Sequence, residues 1–191
     1  MPVMRFELLF DDLGSRLESA LDSGAAARRA EGERMRIARL TLRDRLEALR
    51  AAGEPVRLVF PSDQVVVVTV LALGRDWLSA RSGRDEFIVP LAAVAALSLT
   101  REQVQRSLVD EVLPTRGIER RIPFAIALRD LARRRANLWL VTRGGGWHGT
   151  IDRVGSDHLD LAVHPAGTPR RERAVVDYRT IALDDVLCVR L

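Results

Sequence analysis

An α+β chain is predicted, with two small five-stranded antiparallel β-barrels, each preceded by a helix, and an extra helical segment at the N-terminus. Three observations carry this expectation. Residues 69–78 are matched by residues 150–159 at a constant offset of 81, and in both copies a strand-like run ends at a Gly-x-Asp turn, Gly74 to Asp76 and Gly155 to Asp157. Residues 89–94 are echoed by 181–186 at an offset of 92, so the second copy carries eleven extra residues between its two blocks. Each β-rich stretch also follows one of helical periodicity, which makes the repeating unit a helix plus five strands. Five short strands joined by tight turns close best as a small barrel, because closure removes the exposed edges.

In chain order, Phe6, Leu9, Phe10, Leu13, Leu17 and Leu21 fall at helical spacing with acidic residues beside them, and Ser23 and Gly24 end that stripe. Residues 25–52, rich in Ala, Arg, Glu and Leu, read as a longer helix stopped by Gly53 and Pro55. Met35, Ala38, Leu42, Leu46 and Leu49 keep a roughly heptad seam there, and Arg43 with Glu47 offers an i,i+4 pair. Residues 1–54 thus form an N-terminal helical segment, which either packs on the barrel or serves as an arm that joins subunits or docks a protein partner.

The first barrel occupies residues 55–99. Val56, Leu58 and Phe60 alternate as a half-buried strand, and Pro61 to Asp63 turns. The β-branched run 64–73 is long enough to bend, and strands 77–80, 86–89 and 94–99 follow, with a corner at Pro90 to Ala93. Residues 100–136 form a helical linker broken at Pro114 to Gly117, and its second part carries Ile122, Phe124, Ala125, Leu128, Leu131 and Ala132. The second barrel occupies 137–191, with strands 138–142, 147–154, 158–163, 174–181 and 186–190. The extra residues fall in 164–173, a loop broken by Pro and Gly that ends in Arg170, Arg171 and Arg173.

Composition tempers the apparent basicity. The chain has 191 residues, 47% of them apolar, which is ample for buried cores. All 30 cationic residues are arginine and none is lysine, a bias of GC-rich coding. The net charge of +4 is the informative figure, because almost nothing in this chain titrates between neutral pH and the arginine range. It permits nucleic-acid binding without demanding it. No run of about 18 apolar residues exists, and the N-terminus lacks the basic-then-apolar order of a secretory leader. A soluble cytoplasmic protein is expected, without a membrane segment. The lone Cys188, in an apolar run, reads as a buried strand thiol.

The leading helix, the five bent strands, the Asp turn and the final Val/Ile-x-Leu-x-x-Val corner resemble the Sm-like small barrel, duplicated in one chain. The resemblance covers about residues 25–99 and 119–191. Other SH3-like barrels share much of the pattern, and the chain also resembles two-barrel proteins of GC-rich bacteria. The resemblance implies RNA binding through the loops after the second and fourth strands, and assembly into rings through the outer strands. Those loops fall on Gly74 to Trp77 and Pro90 to Ala93, then on Gly155 to His158 and Ala182 to Asp185. The final corner lacks the family's basic residues: one copy is apolar, and the other places Asp184 and Asp185 where they would repel phosphate.

The better candidate nucleic-acid surface is therefore elsewhere. Arg170, Arg171 and Arg173 of the inserted loop are placed to meet phosphates, with Arg143, Trp147 and His148 around the first hairpin of the second unit supplying cation and stacking surface. Arg133, Arg134 and Arg135 form a second cluster at the end of the preceding helix, where the macrodipole also welcomes cations. Core packing or a contact between helix and barrel is the competing reading for Trp77, Trp139 and Trp147.

Catalytic readings are weaker. Gly144 to Gly146 lies between two strands with no following Gly-Lys-Ser/Thr, so it reads as a hairpin turn. His148, His158 and His164 with Asp152, Asp157 and Asp160 match no recognised metal spacing. The adjacent pairs Asp11 with Asp12 and Asp184 with Asp185 diverge, unlike a working acid/base pair. The expectation is a non-enzymatic RNA-binding regulatory protein without a cofactor or metal, or alternatively a protein-interaction scaffold. A homo-oligomer is expected in either case.

Overall fold

The computed structural model describes residues 24–25, 27–61, 63–108 and 117–191, so the helical stripe predicted over 6–21 lies outside the described residues. Residues 1–41 and 42–191 are separate compact units. In the first, residues 27–39 form helix α1, with exposed ion pairs from Arg34 to Glu31 at 2.7 Å and from Arg36 to Glu33 at 2.6 Å. The single helix expected over 25–52 is interrupted at Leu40 and Thr41. Thr41 sits directly before the next helix, at a position where a hydroxyl residue favours a new start over continuation.

The second unit comprises α2 (Leu42–Ala51), β1 (Val56–Val59), β2 (Val65–Leu73), β3 (Trp77–Ser82), β4 (Asp85–Pro90) and β5 (Ala96–Ser98). Helix α3 (Arg101–Arg106) and helix α4 (Phe124–Arg133) follow. The chain then adds β6 (Asn137–Thr142), β7 (Gly145–Val154), β8 (His158–Val163), β9 (Asp177–Ala182) and β10 (Val186–Arg190). We call α2 with β1 to β5 the first half, and α4 with β6 to β10 the second.

The expected pair of closed barrels does not form. All ten strands belong to one open antiparallel sheet in the order β5-β1-β2-β3-β4-β10-β6-β7-β8-β9. Within each half the neighbours run fifth, first, second, third, fourth, but β4 pairs with β10 instead of turning back onto β5, and among the described residues β9 pairs only with β8. The Sm-like and SH3-like barrel labels therefore do not describe this sheet. The physical reason lies in what each partner strand offers. β5 is three residues long with Ala96 and Ser98 exposed, whereas β10 brings Val189, fully buried and directly opposite Ile88.

Two cores result. The first gathers Leu46 and Leu49 of α2 with Val56, Leu58, Val68 and Leu78, and the second gathers Phe124, Leu128 and Leu131 of α4 with Leu140, Ile151 and Leu161. Each helix packs on the strands of its own half. At the joint, Phe87 faces the first core and Ile88 the second, and from β10 Leu187 and Cys188 enter the first core while Val186 and Val189 enter the second. Side chains alternate across a strand, so the cores lie on opposite faces of the sheet at β4. Burial pushes the Cys188 thiol up to about 11.

The repeat persists in fine structure. Register shifts in both long strands, between Val70 and Ala72 and between Ile151 and Arg153, leaving the repeat mates Leu71 and Asp152 as the extra residues. In both Gly-x-Asp turns the glycine N–H bonds the carbonyl three residues on, from Gly74 to Trp77 and from Gly155 to His158, each at 2.8 Å. A helix arginine caps the carbonyls at the end of each long strand: Arg43 donates to Gly74 O and to Leu73 O, and Arg129 donates to Gly155 O at 3.0 Å and Val154 O at 3.3 Å. Arg43 is thus engaged with carbonyls, and Glu47, expected as its partner, accepts from Arg50 at 2.6 Å. Helix α4 lacks a side-chain cap of its own at Pro123, and Asp76 of the first half supplies it, accepting from the Phe124 N–H at 2.7 Å. Among the described residues no helix is long and apolar enough to cross a membrane.

Candidate nucleic-acid interface

The inserted loop is a strap tied back to β7 by one of its arginines. It leaves β8 at Val163, makes a short 3-10 turn over Glu172–Ala174 and returns to β9 through the Val176 N–H, which bonds Val163 O at 2.9 Å. Arg170 pins it through a fork on Asp152, with Nε to Oδ1 at 2.7 Å and Nη2 to Oδ2 at 2.5 Å. That hydrogen bond also raises Arg170 above its usual value. Arg135 reaches the same carboxylate at 3.4 Å. The bulge thus aims one acid at two candidate cations and neutralises them, while Arg171 and Arg173 stand exposed on the strap with no ion pair among the described residues.

Near the strap's root, Trp139 of β6 lies opposite His148 of β7, and the His164 N–H bonds His148 O at 3.1 Å. His164 is only 2% exposed. Its Nε2 lies 2.9 Å from Thr150 Oγ1, its Nδ1 3.2 Å from Pro165 O, and its carbonyl 3.0 Å from His148 Nδ1. These bonds satisfy a buried imidazole that would otherwise be costly. Among the described residues no three His, Cys, Asp or Glu side chains gather to hold a metal ion, and His158 turns instead to Asp157 at 2.7 Å. The His158 hydrogen bond holds the Asp157 carboxyl below its usual range.

Asp152 makes a direct prediction. Its replacement by alanine removes both charged hydrogen bonds of Arg170, at an expected cost of about 1–3 kcal/mol. Amide hydrogen exchange across 164–176 should accelerate while β1 to β4 keep their protection. Unchanged exchange in the strap would show that other contacts hold it.

The remaining candidates separate. Trp147 packs against the second core and the Arg179 guanidinium lies 4.4 Å over its ring, so its face is already covered by a cation. Arg133 and Arg134 both pair with Asp130, at 2.5 Å and 2.7 Å. Arg143 donates to the Asp184 carbonyl at 2.6 Å and stands 3.9 Å from the Asp185 carboxylate.

Arg143 also borders a groove that the sequence-based expectations do not include. Where the first core opens at the β4–β10 joint, two adjoining cavities of about 120 Å³ and 510 Å³ share Gln64, Trp139, Val141 and Leu187 as walls. Arg190 lines the smaller and Arg143 the larger, and among the described residues no carboxylate lines either. Acidic side chains gather elsewhere: a separate cavity of about 320 Å³ is bordered by Asp76, Asp157 and Asp184 near the start of α4. Strand alternation carried the missed signal, because Leu138 and Leu140 face the second core and leave Trp139 on the opposite face, 37% exposed.

No family model matches the chain, and no curated protein matches it.

Proposed function

We propose that this chain is a non-enzymatic binding protein whose ligand is RNA, held on the second half of the sheet. The observation that carries the reading is Arg171 and Arg173, exposed and without ion pairs among the described residues, on a strap that the Arg170–Asp152 fork pins in place. Cations on an anchored segment meet phosphates at a smaller ordering cost than cations on a floppy one. Double charge reversal, Arg171→Glu with Arg173→Glu, is the test. RNA affinity at low salt should fall by at least about tenfold, and the slope of log affinity against log salt should flatten by roughly two contacts. An unchanged affinity and slope would overturn the strap as the interface.

A second reading has its own observation. Among the described residues the sheet ends in unpaired strands, and Val176 just before β9 and Tyr178 within it are 73% and 60% exposed. Unpaired edges with apolar neighbours suit a protein-interaction module. Under that reading the double reversal leaves RNA irrelevant, and proline placed at Thr180 of β9 abolishes self-association or partner binding, measured by sedimentation.

A further inference from the structure

We propose that the groove at the β4–β10 joint takes one unpaired base of single-stranded RNA, stacked on the Trp139 indole, with Arg190 and Arg143 meeting the phosphates on either side. The inference rests on the RNA reading above and adds a site that the strap does not contain.

The platform has its seat on the neighbouring strand. Trp139 leans across Gly146 of the neighbouring strand, where a side-chain carbon would fall 2.8 Å from the indole nitrogen and 2.9 Å from two ring carbons. A side chain at position 146 would crowd the indole in this position, so the seat of the ring depends on glycine. The indole is a wall of both cavities, with Arg190 at one end and Arg143 at the other. That order matches a strand that threads phosphate, base, phosphate. Neither arginine is saturated: Arg190 lies 3.9 Å from Asp85, and Arg143 is held mainly by a carbonyl. The Gln64 side chain in both walls brings an amide donor and an amide acceptor to the edge of a stacked base.

The chemistry selects the ligand class. Among the described residues no carboxylate lines either wall, which disfavours a cationic guest, and the cavity bordered by Asp76, Asp157 and Asp184 has the opposite character. Duplex RNA keeps its bases stacked on one another and offers no free face to an indole, whereas every unpaired base offers one.

The test uses the full chain with short fluorescein-labelled oligouridylate and oligoadenylate strands, read by anisotropy, beside a duplex of the two. Trp139→Ala should weaken single-strand binding by on the order of tenfold, and Trp139→Phe should restore most of it because a stacking face returns. Gly146→Val, which pushes the indole off its seat, should weaken binding as Trp139→Ala does. Duplex affinity should not move. Single-strand binding by Trp139→Ala at the wild-type affinity, with far-UV circular dichroism unchanged, would overturn the groove. If Arg171→Glu with Arg173→Glu abolishes binding while Trp139→Ala leaves it intact, the RNA reading stands and the groove falls. If the wild-type chain binds no single strand at low salt, both fall. Displacement of the RNA by oligoglutamate that depends on Trp139 would reassign the groove to an acidic polypeptide.

Discussion

Val189→Asp is expected to abolish cooperative folding of both halves at once. Val189 is fully buried, opposite Ile88 on β4 and Leu140 on β6, and belongs to the second core. A carboxylate there meets only hydrocarbon. An unpaired charge in such a place costs several kcal/mol, a large part of the roughly 5–15 kcal/mol that holds a domain together. Because β10 also sends Leu187 and Cys188 into the first core, the damage should not stop at the joint. Urea unfolding followed by tryptophan fluorescence should show the loss of a single transition, with Val189→Ala giving a smaller, measurable shift. Native hydrogen-exchange protection surviving in β1 to β3 of the aspartate variant would show that the halves fold independently.

Leu128→Ala tests the other load on the second core. Leu128 is fully buried on α4, between Phe124 and Leu131 on the face that meets the sheet. Its truncation is expected to cost about 2–5 kcal/mol, the range for deleting a buried leucine side chain beneath a helix. The helix is also fixed by polar contacts that the substitution spares: Asp76 on the Phe124 N–H, Trp77 Nε1 donating to Ile122 O at 2.9 Å, and Arg129 on the strand carbonyls. The urea midpoint should therefore fall with an unchanged slope, as a cavity opens under a helix that stays docked. A loss below about 1 kcal/mol would mean that the site collapses around the cavity.

These predictions concern contacts that the sequence encodes unevenly. The two Gly-x-Asp turns, the offsets between repeat blocks and the bend in the long β-branched strand were legible, because each is set by residues close in sequence. Gly74 and Gly155 make the same backbone bond, and Leu71 and Asp152 are the same bulge. The choice of partner for β4 was not legible. Hairpin patterns specify neighbours in order, but whether a fourth strand returns to its own fifth or accepts another unit's fifth is decided by contacts across some hundred residues. The cap that Asp76 gives α4 is hidden for the same reason. Its repeat mate Asp157 bonds His158 instead, so the repeat itself gave no guide.

The candidate interface divides along similar lines. Arg170 and Arg135 stand among the candidate ligand cations in the sequence, because nothing local reveals that Asp152 bulges towards both. Trp147 and Trp139 were separable in principle. Alternation against Leu138 and Leu140 places Trp139 outward, while Trp147 shares its face with Gly149 and Ile151 above the second core.

The joint between β4 and β10 also bears on how the chain is made. Residues 186–190 complete the first core as well as the second, so a ribosome that has delivered β1 to β5 holds a half whose hydrophobic interior is still open at Leu187 and Cys188. Vectorial synthesis therefore cannot finish the N-terminal half first, as it does in chains of independent domains. The nascent protein exposes an unfinished strand edge at β4 until β10 emerges, and chaperone occupancy during translation should track that arrival.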